Sequence, residues 1–576
     1  MYTYMKRLMQ SPLVRGVLTV VFFFSILFLF YNGLGEVYFQ QDEWHKIGKA
    51  IYYTHVDFLD IFKQKFGFHF IPFAMLYYVL GYVLFGLQAH LYLYAGLLFH
   101  AVAGFLVYEI SRRLFDKKFL AWSLSVLFVI NPGVHQVLLN EMVSLYSVAF
   151  ILVMTIFLIA YEGLHAKVLP IGRLITMCAL GLITFMMLEV WISLFVLVPF
   201  FILLWRPYRK RILNKSHIFI YLSSLLCIAG LFYVNVRMPS ATPIPSSAPM
   251  KLSFLYNAAS VPVKFIVEYG IGIKNVYAIA SYYQKNISYY RSDPSVNQGL
   301  MAVTSGYEIV LYYLFALLCA ATALIIALVK KGERTKRYLT ILFFGIMWVV
   351  VLGGAISPQG RFFLAPESRY LYLGSFGVLL ILGSLYALLQ SIAYPYRLTK
   401  VAFVSVTMVY VIFWSSYSFK SIAFEKDQVI IISRIRRSIM SQILSLQPNL
   451  PQKTIVYMYC SDGCVANTRL GQLPEWVVPF QNGFGWTLLI QYAQKDPRRY
   501  AHYFKDLYFW ERNAVGYREY NGSGFGYVNT FADLESIKDT YGVARTDIIV
   551  FEYNSGLNQI RKISYDEYVE THPKIL

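Results

Sequence analysis

Long apolar runs separated by short polar segments fill the first 418 residues of the chain. Most of these runs are long enough, as α-helices, to cross the hydrocarbon core of a lipid bilayer. Lys and Arg cluster after alternate apolar runs, as they do at the cytoplasmic ends of membrane helices. The pattern predicts eleven membrane spans, at residues 16–31, 88–111, 119–132, 142–161, 174–188, 190–205, 217–236, 304–329, 338–356, 371–392 and 401–418.

The same charge pattern orients the spans. Basic residues precede the first apolar run, which lacks a convincing cleavage site, so we interpret it as a retained helix with a cytoplasmic N-terminus. The aromatic-rich segment 69–86 is also long enough to cross, but crossing would place the basic run that begins at Arg112 outside. We therefore expect 69–86 to lie along the membrane surface, within a first outer loop at 35–87.

A long outer loop, 237–303, is too long to be a simple connector. Its proline-rich start prevents regular helix, and a tyrosine-rich stretch follows. The pattern leaves two alternatives open. One is a lid that binds the acceptor, and the other is a surface helix whose tyrosines lie at the level of the lipid headgroups.

The tail that follows the last span is polar and is predicted to lie outside, like the C-terminus. The alternating runs TIVYMYC and DIIVFEYN predict strands, and WTLLIQYAQ and DLESIKDTYG predict helices. These runs together predict a small soluble α/β domain.

Two glycine-containing segments of the tail, QNGFGW and YNGSGFGY, are predicted to be loops. Neither stands in a GxxxxGK or GxGxxG frame after a strand, so neither predicts a phosphate-binding loop. The chain as a whole is predicted to be a polytopic α-helical membrane protein, with a transmembrane domain at 1–418 and a small extracytoplasmic α/β domain at 419–576.

Composition supports this fold class. The chain of 576 residues is 57% hydrophobic and 14% charged, which is more apolar surface than a soluble core can hide. A net charge of +20 would suggest a nucleic acid partner for a soluble protein. Here the basic residues lie between apolar runs, so we exclude that partner. Cys460 and Cys464 of the tail are able to pair if that side is oxidising, and two free thiols are the alternative.

Charged residues near the predicted outer face are the candidates for chemistry. A carboxylate at a dry boundary is able to act as a base, and an arginine offers a forked donor that suits a phosphate group. For each residue the alternative is an ordinary charge at headgroup level. The candidates come from separate outer segments and are Asp42, Glu43, His69, Glu141, Glu189, Arg361, Glu367 and Arg369.

Three segments resemble a known family, in the order that the family has them. FHFIPFAMLYYVLGYVLFGLQAHLYLYAGLLFH resembles the region after the first outer loop of GT-C membrane glycosyltransferases, which include protein O-mannosyltransferases and TPR-containing transmembrane O-mannosyltransferases. LFVINPGVHQVLLNEMVSLYS resembles their second outer loop, and PESRYLYLGSFGVLLILG resembles their late E-R-Y-L-Y-L-P-S motif. The chain departs from this motif at Ser368 and Gly374, and no TPR repeat follows.

The resemblance implies a GT-C-like fold, a sugar donor carried on a polyprenyl phosphate, and a site on the outer face. In the family, the acidic residue of the first loop acts as the catalytic base or positions the acceptor. The matching residues are Asp42 and Glu43 for the first-loop acid, Glu141 near the second-loop acid, and Glu367, Arg369 and Tyr370 for the late motif.

The resulting hypothesis is an inverting transfer of a monosaccharide to a hydroxyl group of a protein, lipid or glycan acceptor. Asp42, with Glu43 as the second choice, is the base, while Arg369 and Arg361 hold the lipid phosphate. The Asp-Glu pair leaves a divalent metal ion open as a cofactor, although no companion ligands stand at a fixed spacing. The alternatives are a non-catalytic scaffold of the same fold and a transporter of lipid-linked glycans. We expect the protein in a prokaryotic plasma membrane.

Overall fold

A computed structural model gives the fold of the chain. It describes residues 11–39, 41–63, 65, 69–139, 141–164, 170–188, 190, 192–204, 215–237, 257–258, 260–266, 269, 332–356, 368–393, 397–461, 483–506, 516–528 and 530–572. Helices and strands are numbered along these residues. The helices up to residue 446 are α1 Pro12–Phe30, α2 Gln41–His55, α3 Pro72–Phe85, α4 Ala89–Phe115, α5 Lys118–Val129, α6 His135–Leu139, α7 Glu141–Leu164, α8 Ile171–Met187, α9 Ile192–Leu204, α10 Lys215–Arg237, α11 Glu333–Ile356, α12 Ser368–Ala393 and α13 Arg397–Leu446.

The predicted membrane spans agree with these helices. Ten of the eleven predicted spans coincide with helices among the described residues, and the other, 304–329, lies outside them. Within the described residues, six helices are long and apolar enough to cross a membrane, at Leu13–Phe30, Ala89–Phe115, Ser144–Gly163, Glu333–Ile356, Arg369–Ser391 and Val401–Leu446. The exposed side chains of α1 include Leu13, Val17 and Leu29, so this surface is suited to lipid. The chain is a polytopic membrane protein, and the count of eleven spans stays a prediction.

The bundle has two distinct ends. At the first, which we call the basic end, the ring of Phe115 at the end of α4 lies 6.3 Å from that of Tyr338 in α11. At the second, the ring of Tyr92 near the start of α4 lies 5.5 Å from that of Phe39, just before α2. We call this the α2 end. The predicted outer residues of the described chain lie at the α2 end.

Helix α13 continues past the predicted end of the last span at residue 418 and reaches Leu446. Its 50 residues correspond to about 75 Å, against about 30 Å for the hydrocarbon core. Phe419 packs edge-on against Phe30 at the end of α1, so the later turns project beyond the bundle. Residues 419–446, predicted to begin the soluble tail, therefore extend the last span as one helix.

The tail is an α/β domain, as predicted. Its elements are β1 Lys453–Cys460, α14 Phe484–Ala493, α15 Pro497–Tyr500, β2 Gly516–Tyr520, β3 Ser523–Val528, α16 Phe531–Tyr541, β4 Ile548–Asn554, β5 Gln559–Ile563 and α17 Tyr565–Thr571. The strands form one sheet in the order β2-β3-β1-β4-β5, in which β1 runs parallel to β3 and β4. All four strands and helices predicted from the tail's sequence runs are present.

One predicted loop of the tail is instead a hairpin. YNGSGFGY forms the end of β2, a tight turn at Asn521 and Gly522, and β3. Both turn residues have positive φ, at 50° and 76°, which is the backbone that an Asn-Gly hairpin turn requires. QNGFGW ends inside α14, whose first residue is Phe484.

The two faces of the sheet belong to different cores. Ile455, Tyr457 and Val550 pack with residues of α16 and α17 in a small core of the domain. Val456 and Met458 instead belong to the large core that also contains the membrane helices. The alternation of strand side chains thus joins one face of the sheet to the bundle. Cys460, at the end of β1, is disulfide-bonded; its partner lies outside the described residues, so pairing with Cys464 stays a prediction.

Candidate functional site

The site is built around α2, the helix that contains the Asp-Glu pair. Every residue from 43 to 53 is buried, although this stretch includes Glu43, His45, Lys46 and Lys49. Such a polar helix is buried because it is covered on two sides. The bundle lies on one side, and the C-terminal domain lies on the other.

Lys46 connects α2 to the bundle. Its Nζ donates to the Tyr78 Oη of α3 at 3.0 Å and lies 4.5 Å from the centroid of that ring. The neighbouring Tyr77 hydrogen-bonds through its hydroxyl to Ser144 Oγ, at 2.7 Å, in the first turn of α7. Because α7 begins at Glu141, the backbone of this predicted site residue lies one turn from that contact.

The other side of α2 contacts the C-terminal domain. Trp486 of α14 donates from Nε1 to the Trp44 carbonyl at 2.9 Å, and its ring meets the His45 ring edge-on at 5.5 Å. Lys49 Nζ donates to the Lys505 carbonyl at 2.5 Å. The site therefore includes residues that are more than 400 positions apart in the sequence.

Glu43 lies where α2, α13 and the segment that precedes α2 meet. It is 2% exposed, and Arg436 of α13 is 7% exposed; the two charges interact. The adjacent Arg437 donates to the Val37 carbonyl at 3.3 Å. Glu43 is thus buried in the protein beside an opposite charge.

A described part of the long outer loop 237–303 completes the α2 end. Helical residues 260–266 pack on the bundle, with Pro262 against Gly353 of α11 and Phe265 against Gly374 of α12. A Cβ on Gly374 would lie 2.6 Å from the Phe265 ring, which explains the departure from the proline of the late motif. Lys264 in this segment is completely buried. The loop's described residues are therefore part of the packed bundle. The tyrosine-rich stretch lies outside the described residues, so both alternatives for it stay predictions.

The start of α12 lies next to this segment. The Arg369 guanidinium is half-buried and lies 5.2 Å from the centroid of the buried Tyr370 ring. Two residues further, Tyr372 Oη is 3.0 Å from His100 Nδ1, and His100 Nε2 is 3.2 Å from the Val129 carbonyl. Because the carbonyl can only accept, Nε2 bears the proton and Tyr372 donates to Nδ1. This bond fixes the start of α12 against α4 and α5.

The buried charges of the described chain share one location. Its buried Lys, Arg, Asp and Glu residues are Glu43, Lys46, Lys49, Asp60, Lys264 and Arg436. All six lie at the α2 end, and the four cations outnumber the two carboxylates. An end of the bundle that buries more cations than carboxylates suits an anionic ligand.

Burial changes the acid–base behaviour of two α2 residues. The pKa of Lys49 is lowered from its ordinary 10.5 to about 8, mainly by burial. Lys505 lowers it further, whereas Asp506 and Asp60 act in the opposite direction. Burial, followed by Lys49 and Lys46, holds the pKa of His45 well below its ordinary value. His45 is therefore neutral at pH 7.

The structure places the predicted site residues only in part. Glu43, Arg369 and Tyr370 are buried or half-buried at the α2 end, while His69 is exposed, just before α3. The side chains of Asp42 and Glu141 lie outside the described residues, and so do Glu189, Arg361 and Glu367 entirely. The roles of all these residues stay predictions.

Sequence reasoning missed the buried cations. Lys46 and Lys49 follow Glu43 at three-residue steps and so lie close on the same helix, which is a readable signal in DEWHKIGK. Lys264 and Arg436 had no such signal, because isolated basic residues in outer segments usually lie in solvent. Among the described residues, no group of three His, Cys, Asp or Glu side chains could hold a metal ion. A metal ion at the Asp42–Glu43 pair stays a prediction, because the Asp42 side chain lies outside the described residues.

Comparison with known proteins adds a structural likeness. No protein-family model and no curated protein sequence matches the chain. The chain is similar to the crystal structure of ArnT from Cupriavidus metallidurans bound to undecaprenyl phosphate, with 12% identity and a TM-score of 0.41. The apo state of that protein gives 12% identity and a TM-score of 0.39. Both alignments cover 96% of this chain and 94% of the other. A likeness at this level assigns neither a family nor an activity.

Proposed function

We propose that the protein is an integral membrane glycosyltransferase that moves a monosaccharide from a polyprenyl-phosphate donor to an acceptor hydroxyl. The observation that carries the proposal is the burial of four cations and Glu43 at one end of a membrane bundle. A lipid phosphate needs cations at the membrane surface, and a hydroxyl nucleophile needs a nearby carboxylate as base. The sequence resemblance to GT-C enzymes supports the same assignment.

In the proposed reaction, the lipid chain stays in the bilayer and the phosphate reaches the α2 end. Lys46 and Arg436, together with Arg369, stabilise the phosphate as charge builds on it. Asp42 or Glu43 takes the proton of the acceptor hydroxyl as its oxygen attacks the anomeric carbon. The bond from that carbon to the phosphate oxygen breaks, the polyprenyl phosphate leaves with the electron pair, and the configuration inverts.

The distribution of charge favours this proposal over transport. A transporter places charged residues near the middle of the membrane, along a path between its repeats. In the described part of this chain, the buried Lys, Arg, Asp and Glu residues lie at the α2 end. A site at one membrane surface fits a transfer reaction on that side.

The test is sugar transfer by the purified protein, with a panel of monosaccharides linked to undecaprenyl phosphate. Asp42→Asn and Glu43→Gln are compared with Glu109→Gln, whose parent carboxylate pairs with Arg112 at 2.8 Å at the basic end. We expect the loss of the base to lower kcat by about 10² to 10⁴, and Glu109→Gln to retain the parent rate. Full activity in both α2 variants would refute the assignment.

A further inference from the structure

The contact between the C-terminal domain and α2 is unusually close. A Cβ on Gly48 would lie 2.2 Å from Trp486 Nε1 and 2.4 Å from its Cε2, so no other residue fits there without a shift. Trp486 is completely buried, and its ring also packs against Phe504 at 4.9 Å. The indole is therefore held by its own domain while it lies on the α2 backbone.

A second contact holds the segment that precedes α2. Gln491 of α14 donates to the Tyr38 hydroxyl at 3.2 Å. Trp486 and Gln491 are both on α14. This one helix of the C-terminal domain therefore contacts both the segment before α2 and α2 itself. These two contacts restrict both the rotation and the translation of α2.

The rotation of α2 matters because some of its residues contact the C-terminal domain and another contacts α3 of the bundle. Trp44, His45, Gly48 and Lys49 contact the domain, whereas Lys46 contacts α3. One residue corresponds to a turn of about 100°. A small rotation allowed by the loss of the Trp486 contact would therefore displace the Lys46 amine from Tyr78.

We propose that Trp486, lying on Gly48, is a positioning residue that holds α2 so that Glu43 and Lys46 are placed for the transfer reaction. This inference rests on the proposed function only for its kinetic consequence. The C-terminal domain then acts on the rate through α2, without contacting the reacting atoms.

The experiment compares Trp486→Phe, Gly48→Ala and the double variant in the full chain. Tyr492→Phe is the matched control, because Tyr492 is also buried on α14 and donates to a backbone carbonyl, that of Gln447 at 2.6 Å, away from α2. The first readout is acylation of Lys49 by a water-soluble amine reagent, followed by mass spectrometry of the native protein. The second is kcat for transfer.

We expect Trp486→Phe and Gly48→Ala each to raise the acylation rate of Lys49 several-fold and to lower kcat up to about tenfold, as expected for one lost hydrogen bond. The double variant should recover part of the Gly48→Ala loss, because the smaller ring makes room for the methyl group. Tyr492→Phe should match the parent in both readouts.

Parent-like labelling and kcat in Gly48→Ala would overturn the inference. Equal effects in Tyr492→Phe would also overturn it, since they would indicate general destabilisation rather than positioning. If the parent transfers no sugar from any donor, the proposed function fails, but the labelling series still decides whether Trp486 fixes α2.

Discussion

The two ends of the bundle differ in how far their charged side chains are buried. At the basic end, Arg112 pairs with Glu109 at 2.8 Å and Arg113 pairs with Glu162 at 3.3 Å, and these side chains are between 18% and 43% exposed. At the α2 end, charged side chains such as Lys49 and Lys264 are 4% exposed or less. Among the described residues, buried charges occur only at the α2 end, which also has exposed pairs such as Arg434 with Glu36.

This difference in burial suggests different roles for the charges at the two ends. Partly exposed pairs contribute little to stability, typically about 0 to 1 kcal/mol, so the charges of the basic end are suited to orienting helices. Burial of a charge costs several kcal/mol unless its partners compensate. A cost concentrated at one end is expected where a binding or catalytic site needs those charges.

The largest expected effect concerns the side of the membrane on which each end lies. We expect Asp539→Cys, in the C-terminal domain, to react in intact cells with a membrane-impermeant maleimide, and Lys336→Cys, at the basic end, to react only after lysis. The parent side chains are equally accessible, at 75% and 74% exposed, and Cys227 is replaced by Ser in the background. Reaction of Lys336→Cys in intact cells would reverse the assignment of the two ends.

The next effect is the pH dependence of stability that Lys49 causes. Between pH 8 and 10.5 the unfolded chain binds this proton and the folded protein does not, so the free energy of unfolding rises with pH across that range. The lowered pKa corresponds to about 3 kcal/mol. We expect the stability difference between Lys49→Met and the parent to change by this amount across the range, as measured by chemical denaturation in micelles. A pH-independent difference would contradict the buried, charged environment.

The smallest effect is a test of ligand binding at matched lysines. Lys46→Met should weaken binding of undecaprenyl phosphate about 10- to 100-fold, because a hydrogen bond to a charged group contributes about 1.5–3 kcal/mol. Lys117 is the control at the basic end, since it also donates to a side chain, Gln390 Oε1 at 2.6 Å, and lies 5.2 Å from the Tyr338 ring. Equal losses in Lys46→Met and Lys117→Met would remove the functional distinction between the two ends.

The helices were largely predictable, because hydropathy over a span-length window is a strong local signal. The strands of the tail, such as β1 and β4, followed from alternation in the same way. The hairpin at Asn521 and Gly522 was not predicted, although Asn-Gly between apolar runs indicates one, because the Gly- and Ser-rich sequence around it is also typical of a loop. Residues 419–446 were assigned to the tail because their charges hide a helix that continues from the span.

The candidate site was less predictable, because its surroundings come from distant parts of the chain. The sequence singled out Glu43, but α2 is buried only because Trp486 covers its other side. Arg436 reaches Glu43 only because α13 continues beyond the bundle. Contacts of this kind depend on tertiary packing, which no local pattern encodes.

Because α13 is one continuous helix, the spacing of its residues along the chain fixes the directions in which their side chains point. Arg434 pairs with Glu36, Arg437 with the Val37 carbonyl, and Gln442 with both the Asn558 carbonyl and the Ile560 amide. Along this continuous helix, Arg437 lies about 60° from Arg434 in one direction and Gln442 about 80° from it in the other, so their directions are fixed relative to one another. An inserted or deleted residue near 425 would rotate Arg434 and Arg437 by about 100° relative to the bundle and break their contacts with Glu36 and Val37 together. A seven-residue insertion would nearly restore the angle and change only the height of the domain above the membrane.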